Sequence, residues 1–283
     1  MDRITVAALQ LGGVSCNDFE SYAAYVSGLL DTVKSAQLIV LPEYAALPLL
    51  ATQEGIPRAG MRHAFDETFF GCADSYHQFF ASQSRKRRCY ILAGTHWTQG
   101  SEGPRNVAYV FAPDGTVQSF AKCRPTPAEE AMGMAVGTEP GIVEIDGVRA
   151  GILVCFDSEF PELAAQLVRR GADLLLLPSL TFNERGAWRV ELCARARALE
   201  NQAYVLLSTN QTRLQIPHER PIRGTGRSAI FGPIDNRTRL VDGVVARAAA
   251  GGDQVVLADL DLGVLELCRQ ASEAPLRRHW TEG

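Results

Sequence analysis

The chain has 283 residues, of which 46% are hydrophobic and 21% charged, and this composition is typical of a globular protein that buries a large core. Its formal net charge of −4 provides no basic field, which argues against a nucleic-acid partner. No run approaches the roughly 18 apolar residues of a membrane span, and we expect no secretory signal in the opening residues. The seven cysteines are scattered and contain no CxxC pair, so we expect neither a disulfide framework nor a zinc site, and a cytoplasmic location.

Short β-rich runs alternate along the chain with longer helical patterns. In the first half, the patterns predict a strand at residues 4–11, a helix at 22–35, a strand at 38–41, a helix at 66–86, a strand at 90–95 and a hairpin of strands 105–111 and 117–121. In the second half they predict strands at 142–145 and 149–154, a helix at 161–170, a strand at 174–177, a helix at 188–201 and strands at 203–208 and 255–260. No linker, low-complexity tract or repeat divides these elements, so we expect a single domain over residues 1–283.

Cys155 is the strongest candidate for a nucleophile. It follows the buried run 151–154 and precedes the predicted helix 161–170. A strand-to-helix turn presents its side chains at a sheet edge, where ligands bind in open α/β sheets. The backbone N–H of Phe156 would then be available to stabilise an oxyanion. A free cysteine is otherwise usually a small buried hydrophobe, and we interpret the other six cysteines as core or surface thiols.

A cysteine nucleophile needs a base, because the thiolate is the attacking species. None of the five histidines lies in a context that indicates this role. Glu43 and Lys122 offer another route, since each follows a predicted strand. Either residue alone is more typical of a solvated surface position. The order Glu43, Lys122, Cys155, with each residue at a strand end, indicates a common site.

These segments resemble the nitrilase superfamily of carbon–nitrogen hydrolases. The resemblance is carried by LIVLPEYA (38–45), FAKCRPTPAEE (120–130) and GILVCFDSEFPELAAQLVRRGADLLLLPS (151–179), with further support from RARALENQAYVLLS (195–208) and GTGRSAIFGP (224–233). It implies an α/β fold, a four-layer α-β-β-α sandwich. It also implies a homodimer or higher homo-oligomer, paired through the helix after the cysteine and the later LENQ helix, with the tail after about residue 262 in dimer contacts.

The resemblance assigns a role to each charged candidate. It implies that Glu43 is the general base, that Lys122 stabilises the tetrahedral intermediate and that Cys155 is the nucleophile. A second glutamate should help to orient the site. The Pro-Thr-x-x-Glu spacing favours Glu129, and Glu130 is the alternative. Hydrolysis then proceeds through a thioester, and we expect no metal and no organic cofactor.

The dipeptide Phe156-Asp157 after the cysteine bears on the substrate. Nitrile-hydrolysing members of the superfamily commonly have Trp-Glu there, so an aromatic residue followed by Asp favours a small or medium amide. A nitrile or N-carbamoyl hydrolase is one alternative. A non-catalytic homologue that binds a metabolite or a protein partner is another.

The far end of the substrate is expected to meet the loops after the predicted strands 38–41 and 174–177. The predicted substrate-binding residues are Tyr44, Thr181, Phe182 and Trp188. Ordinary core packing explains the three aromatic residues equally well. Arg185 or Arg189 could pair with a substrate carboxylate, although a position on a helix surface is the favoured interpretation for both.

Overall fold

Two six-stranded β-sheets form the centre of the protein. The structure, a computed structural model, describes residues 3–51, 56, 60–218, 220–271 and 273–279. The first sheet contains β1 (Arg3–Gln10), β2 (Leu38–Val40), β3 (Tyr90–Thr98), β4 (Arg105–Phe111), β5 (Val117–Ala121) and β14 (Gln254–Asp261). Its order is β14-β1-β2-β3-β4-β5, with β1, β2 and β3 parallel and the outer neighbours antiparallel.

The second sheet repeats this arrangement. It contains β6 (Ile142–Ile145), β7 (Val148–Ile152), β8 (Leu174–Ser179), β9 (Tyr204–Thr209), β12 (Ala229–Phe231) and β13 (Val244–Arg247). Its order is β13-β12-β9-β8-β7-β6, again with three central parallel strands, β7, β8 and β9. A separate two-stranded ribbon joins β10 (Arg213–Leu214) to β11 (Ile222–Arg223).

Helices cover the outer face of each sheet. On the first sheet lie α1 (Phe19–Leu30), α2 (Leu47–Leu50), α3 (Met61–Phe65) and α4 (Gly71–Arg87), the last two joined by a π-helical turn, Asp66–Phe70. The second sheet is covered by α6 (Pro161–Arg169) and α7 (Glu184–Asn201). The short α5 (Pro127–Ala131) follows β5, and α8 (Leu262–Ala271) follows β14. No helix in the described part of the chain has the length and apolarity needed to cross a membrane.

Alternating side chains of the central strands separate the layers. In β1, Ile4, Val6 and Ala8 belong to a buried cluster shared with the second sheet. Ala7 and Leu9 belong instead to the cluster formed with α1 and α4. This is the two-residue period of a strand buried on both faces. The two sheets are therefore stacked between helical layers, which confirms the predicted α-β-β-α sandwich.

Candidate active site

Four charged or nucleophilic side chains from distant parts of the sequence meet in one buried cluster. Lys122 Nζ lies 2.8 Å from Glu43 Oε1 and 2.8 Å from Glu129 Oε2. Cys155 lies beside them, and none of the four residues is more than 4% exposed. Glu43 follows β2, Lys122 follows β5, and Cys155 follows β7, so each stands just beyond a strand, as the sequence predicted.

The ammonium of Lys122 is shared by two carboxylates. Burial by itself would lower the pKa of this lysine, but the charges of Glu43 and Glu129 outweigh that effect and raise the pKa well above its ordinary value. Lys122 is therefore a permanent cation. Because its single charge faces two carboxylates, the fully ionised cluster has a net negative charge, which is costly to bury without further hydrogen bonds.

Glu129 is the better stabilised of the two carboxylates. Tyr44 Oη donates to its Oε1 at 2.8 Å, and the N–H and hydroxyl of Thr126 donate to its Oε2 at 2.8 and 2.9 Å. Burial raises the pKa of Glu129, but Lys122 and these hydrogen bonds lower it to about 2. Glu129 therefore stays ionised at any ordinary pH.

Glu43 is the carboxylate that exchanges a proton more easily. Burial raises its pKa above the ordinary value, Lys122 lowers it, and the negative charge of Glu129 raises it again. Its Oε2 accepts a hydrogen bond from the backbone N–H of Leu180 at 2.8 Å. It is also close enough to exchange a hydrogen bond with Cys155. Glu43 thus has the position and the acidity of a general base for the thiol.

The local sequence places Glu129, and not Glu130, at the cluster. Thr126 is the N-cap of α5, Pro127 follows it at the first helical position, and Glu129 occupies the third position of a capping box. The side chain of Glu129 turns back towards Thr126, and its Oε2 accepts hydrogen bonds from both the Thr126 N–H and Lys122 Nζ. Glu130, one residue further, is exposed.

Cys155 stands at a tight turn between β7 and α6. Its φ of 45° is in the left-handed region, which is unusual for a residue with a side chain, and it begins a 3-10 turn, Cys155–Glu159. Ser179 Oγ donates to Sγ at 3.3 Å. Burial and the nearby Glu43 raise the pKa of the thiol, and Lys122 only partly offsets them. The resting thiol is therefore protonated, and it needs a base to become a nucleophile.

The loop that carries Glu43 is held in an unusual conformation. Tyr44 has a φ of 50°, and Asn210 Nδ2 donates to the carbonyl oxygens of Glu43 and Tyr44 at 3.1 and 3.0 Å. Gly94 passes so close to this loop that a side chain there would collide with the carbonyl oxygen of Pro42. The sequence analysis did not find Asn210, since an isolated polar residue after a strand carries no distinctive signal.

Asp157 joins the lysine loop to the cysteine turn. Its carboxylate accepts hydrogen bonds from the backbone N–H groups of Cys123, Arg124 and Val154 at 3.2, 2.7 and 3.1 Å. Burial raises the pKa of Asp157 to about 6, although Lys122 and these N–H groups lower it. The dipeptide Phe156-Asp157 alone does not reveal these backbone partners, so the sequence does not predict this link.

A cavity of about 680 Å³ opens next to the cluster. Tyr44, Thr181 and Phe182, which the sequence predicts to bind substrate, line it together with Phe156. The expectation for Trp188 is wrong: its side chain is 55% exposed and lines a separate groove, so it is not among the described residues of this cavity. The physical reason is that α7 begins four residues before the predicted start and carries this residue on its outer side.

Two arginines line the cavity, each paired with a carboxylate. Arg189 Nε lies 3.0 Å from Glu159 Oε2, and Arg62 Nε lies 2.7 Å from Asp66 Oδ2. Arg189 is thus a cavity residue that is 59% exposed, rather than a helix-surface residue alone. Within the described ranges, no group of three or more His, Cys, Asp or Glu side chains is placed to hold a metal ion.

Comparison with known proteins agrees with this geometry. The carbon-nitrogen hydrolase family model matches residues 5–270. The chain belongs to the carbon-nitrogen hydrolase family. It is 28% identical over 271 residues to the probable hydrolase YhcX of Bacillus subtilis, covering 94% of this chain and 52% of that protein. The chain therefore spans about half the length of that relative. It is 25% identical over 284 residues to the omega-amidase NIT3 of Saccharomyces cerevisiae, covering 95% of this chain and 91% of that protein.

Solved carbon-nitrogen hydrolases have the same fold. The crystal structure of Saccharomyces cerevisiae Nit3, a member of branch 10 of the nitrilase superfamily, has a TM-score of 0.75 at 23% identity and covers 99% of this chain and 97% of that one. A mutant amidase from Nesterenkonia sp. AN1 has the acetamide moiety of fluoroacetamide covalently added at its active site cysteine. It has a TM-score of 0.72 at 19% identity and covers 98% of this chain and 97% of that one. The predicted membership of the nitrilase superfamily is confirmed.

Proposed function

We propose that this protein hydrolyses the carbon–nitrogen bond of a small or medium amide through a thioester on Cys155 and releases ammonia or an amine. The observation that carries the proposal is the buried contact of Lys122 with both Glu43 and Glu129, next to the protonated thiol of Cys155. A protein that only binds a ligand has no need to bury a thiol, a base and a cation together. The covalent adduct on the cysteine of the Nesterenkonia amidase supports the same chemistry here.

In the first half of the reaction, Glu43 takes the proton of the Cys155 thiol as Sγ attacks the carbonyl carbon of the amide. The carbonyl oxygen becomes an oxyanion, which the ammonium of Lys122 and the backbone N–H of Phe156 stabilise. Collapse of this intermediate breaks the carbon–nitrogen bond. Glu43 gives its proton to the leaving nitrogen, which departs as ammonia or an amine and leaves an acyl thioester.

In the second half, water replaces the leaving group. Glu43 takes a proton from the water molecule as its oxygen attacks the thioester carbonyl carbon. The second oxyanion is stabilised by the same two donors, and its collapse breaks the carbon–sulfur bond. The proton returns to Sγ, and the carboxylic acid is released. Glu129, which is ionised throughout, keeps Lys122 charged and in place.

The charge on the cavity wall favours an uncharged acyl group. The charged residues that line the cavity among those described are Arg62, Lys122 and Arg189, and Glu43, Glu129 and Glu159. Positive and negative side chains are therefore equal in number, and no excess positive charge is available for a substrate carboxylate. Apolar side chains such as Phe65, Leu214 and Ile222 form much of the remaining wall.

A second candidate is the omega-amidase activity that several relatives have in their names. The omega-amidase NIT3 of Saccharomyces cerevisiae and the chloroplastic omega-amidase of Arabidopsis thaliana are 25% and 27% identical to this chain. Arg189, which lines the cavity, is the residue that would bind a carboxylate of the substrate. Its ion pair with Glu159 makes this candidate the weaker one. Nitrile and N-carbamoyl hydrolysis are further alternatives within the same family.

A substrate panel distinguishes these candidates. Ammonia release is measured with butanamide, with succinamate as its carboxylate-bearing counterpart, and with the nitrile and N-carbamoyl compounds of matched size. We expect the highest kcat/KM with the uncharged amide. We expect the Cys155→Ala variant to lose turnover and the Cys89→Ala variant, which alters a buried thiol away from the cluster, to retain it.

Intact-mass spectrometry with the same compounds reports the acyl group held on the enzyme. We expect an added acyl mass on the wild-type protein and none on Cys155→Ala. Turnover that survives in Cys155→Ala would contradict the proposed mechanism. A preference for succinamate would contradict the proposed substrate.

We further propose that the protein acts in the cytoplasm as one domain and as a homodimer.

A further inference from the structure

Asn106 lies at the centre of the cluster but has no role in the reaction described above. It is on β4, directly opposite Trp97 of β3, and its side chain is completely buried. Its carbonyl oxygen accepts a hydrogen bond from the backbone N–H of Lys122 at 2.9 Å. The backbone of Asn106 therefore determines where the lysine leaves the sheet.

The side-chain amide of Asn106 faces both carboxylates. Its Nδ2 lies 2.9 Å from Glu43 Oε1 and 2.9 Å from Glu129 Oε1. The same two oxygen atoms accept hydrogen bonds from Lys122 Nζ at 2.8 and 3.0 Å. A primary amide has two N–H groups, so both are used on the two carboxylates. Asn106 thus supplies the donors that a single ammonium cannot provide.

The other end of the amide shows that this orientation is imposed by the cluster. Among the residues that the structure describes, Asn106 Oδ1 is buried and has no hydrogen-bond partner. An unpaired buried carbonyl oxygen destabilises the fold. The reversed amide would place this oxygen against two carboxylate oxygens, which is worse. The two carboxylates therefore set the orientation of the amide.

We propose that Asn106 is a positioning residue that binds Glu43 and Glu129 to the Lys122 side of the cluster and keeps Glu43 anionic for proton transfer from Cys155. This role rests on the function proposed above. The titratable groups that face Glu43 are Lys122, Glu129, Cys155 and Tyr44. Asn106 adds no charge to this set, and it stabilises the ionised form of Glu43 by donating a hydrogen bond to it.

The test replaces Asn106 with leucine, which has a similar shape and no donor, and with aspartate, which adds a third carboxylate. For Asn106→Leu we expect kcat/KM to fall about 10- to 100-fold, since a hydrogen bond to a charged group is lost. The acidic limb of the pH profile of kcat/KM should move up by about one pH unit, because the anionic form of Glu43 has lost a donor. Asn106→Asp should move it further.

The matched control is Asn201→Leu. Asn201 is also a buried asparagine, but its amide donates to Arg197 O and Glu200 Oε1 within α7, away from the cluster. We expect Asn201→Leu to change the melting temperature without moving the acidic limb of the pH profile of kcat/KM. If both leucine variants lower the melting temperature and neither moves the limb, Asn106 has only a structural role and the proposal is wrong.

A second measurement separates this proposal from the proposed function. The rate at which iodoacetamide alkylates Cys155, followed by mass spectrometry over the same pH range, requires no amide turnover. We expect its acidic limb also to shift upward in Asn106→Leu. A wild-type protein without amidase activity would refute the proposed function alone. An unshifted alkylation profile in both Asn106 variants would refute the role of Asn106 alone.

Discussion

The two glutamates of the cluster differ because of their hydrogen bonds, although Lys122 binds both. Glu129 accepts donors from Tyr44, Thr126 and Asn106 in addition to the ammonium. Glu43 has fewer donors and a raised pKa. One carboxylate therefore remains a fixed anion while the other can transfer protons. Pairs of titratable groups whose surroundings separate their pKa values commonly divide acid–base work in this way.

Removal of the Glu129 charge should reveal this division in the pH profile. The negative charge of Glu129 raises the pKa of Glu43. Glu129 also accepts a hydrogen bond from the ammonium of Lys122, which would otherwise stabilise the anionic form of Glu43 alone. In Glu129→Gln both effects are removed, so the pKa of Glu43 should fall. The acidic limb of kcat/KM should therefore move to lower pH, opposite to the shift expected for Asn106→Leu.

The magnitude and the control for Glu129→Gln follow from the same contacts. We expect kcat to fall by on the order of 100-fold, because Lys122 is less firmly held for the oxyanion. The control is Glu130→Gln, which makes the same change at the exposed neighbouring position. An acidic limb that moves upward in Glu129→Gln, or a comparable loss in Glu130→Gln, would show that the two glutamates are wrongly assigned.

Among the site residues, Glu43, Lys122 and Cys155 were identified because each follows a predicted strand, and Glu129 was identified through the resemblance to the nitrilase superfamily. Asn106 and Asn210 were not. Asn106 is a polar residue near the start of β4, and its carboxylate partners are 63 and 23 positions away. Sequence patterns encode which face a residue occupies, but not which distant side chain it meets.

The strands with a continuous apolar or alternating run were predicted well, and the short strands late in the chain were not. Nine strands lie within two residues of their predicted bounds: β1, β2, β4, β5, β6, β7, β8, β9 and β14. The helix α1 ends at Leu30, earlier than predicted, and begins at Phe19 because Asp18 caps it. Strands β10 to β13 have two to four residues each and arise from tertiary pairing, which no local period reveals.

Asp157 links two of these elements, and its ionisation should appear in the stability of the protein. Burial raises its pKa to about 6, above the ordinary value of 3.8. The folded state therefore binds a proton more strongly than the unfolded state, so the stability from this group is present below pH 4 and is lost as the pH rises through 6. Asp157→Asn lacks this dependence, because its side chain does not titrate.

Urea unfolding at pH 4.5 and pH 7 tests this expectation. Relative to Asp157→Asn, the wild-type protein should lose about 2 kcal/mol of unfolding free energy between pH 4.5 and pH 7. Glu162→Gln, at an exposed position on α6, is the control for a carboxylate outside the link. If the unfolding free energy of the wild-type protein relative to Asp157→Asn instead increases from pH 4.5 to pH 7, the three backbone N–H groups outweigh burial in setting the pKa of Asp157.

At the scale of the whole molecule, the active site exists only when the two sheets are packed together. Glu43 comes from the first sheet and Cys155 from the second. The backbone N–H of Leu180, after β8, donates to Glu43 Oε2, and Asn210, after β9, donates to the backbone of the Glu43 loop. The second sheet therefore orients the base that the first sheet supplies. The geometry of the site thus depends on how the two sheets pack together.

The outer side of α7 supports the proposed homodimer. Trp188, Leu192 and Leu199 are 55%, 57% and 38% exposed, and their spacing places them on one face of the helix. Such a stripe of exposed apolar side chains on one helix face is typical of an interaction surface. We therefore expect a charge at the centre of the stripe, in Leu192→Asp, to convert the protein to monomers without unfolding it.

Light scattering coupled to size-exclusion chromatography measures this directly. The wild-type protein should elute with about twice the mass of one chain, and Leu192→Asp should elute with the mass of one. The control is Val117→Asp, which introduces the same charge at a 43% exposed position on β5 in the other sheet, and it should leave the dimer intact. A wild-type monomer would contradict the proposed dimer. A Leu192→Asp protein that remains dimeric would mean that α7 is not at the interface.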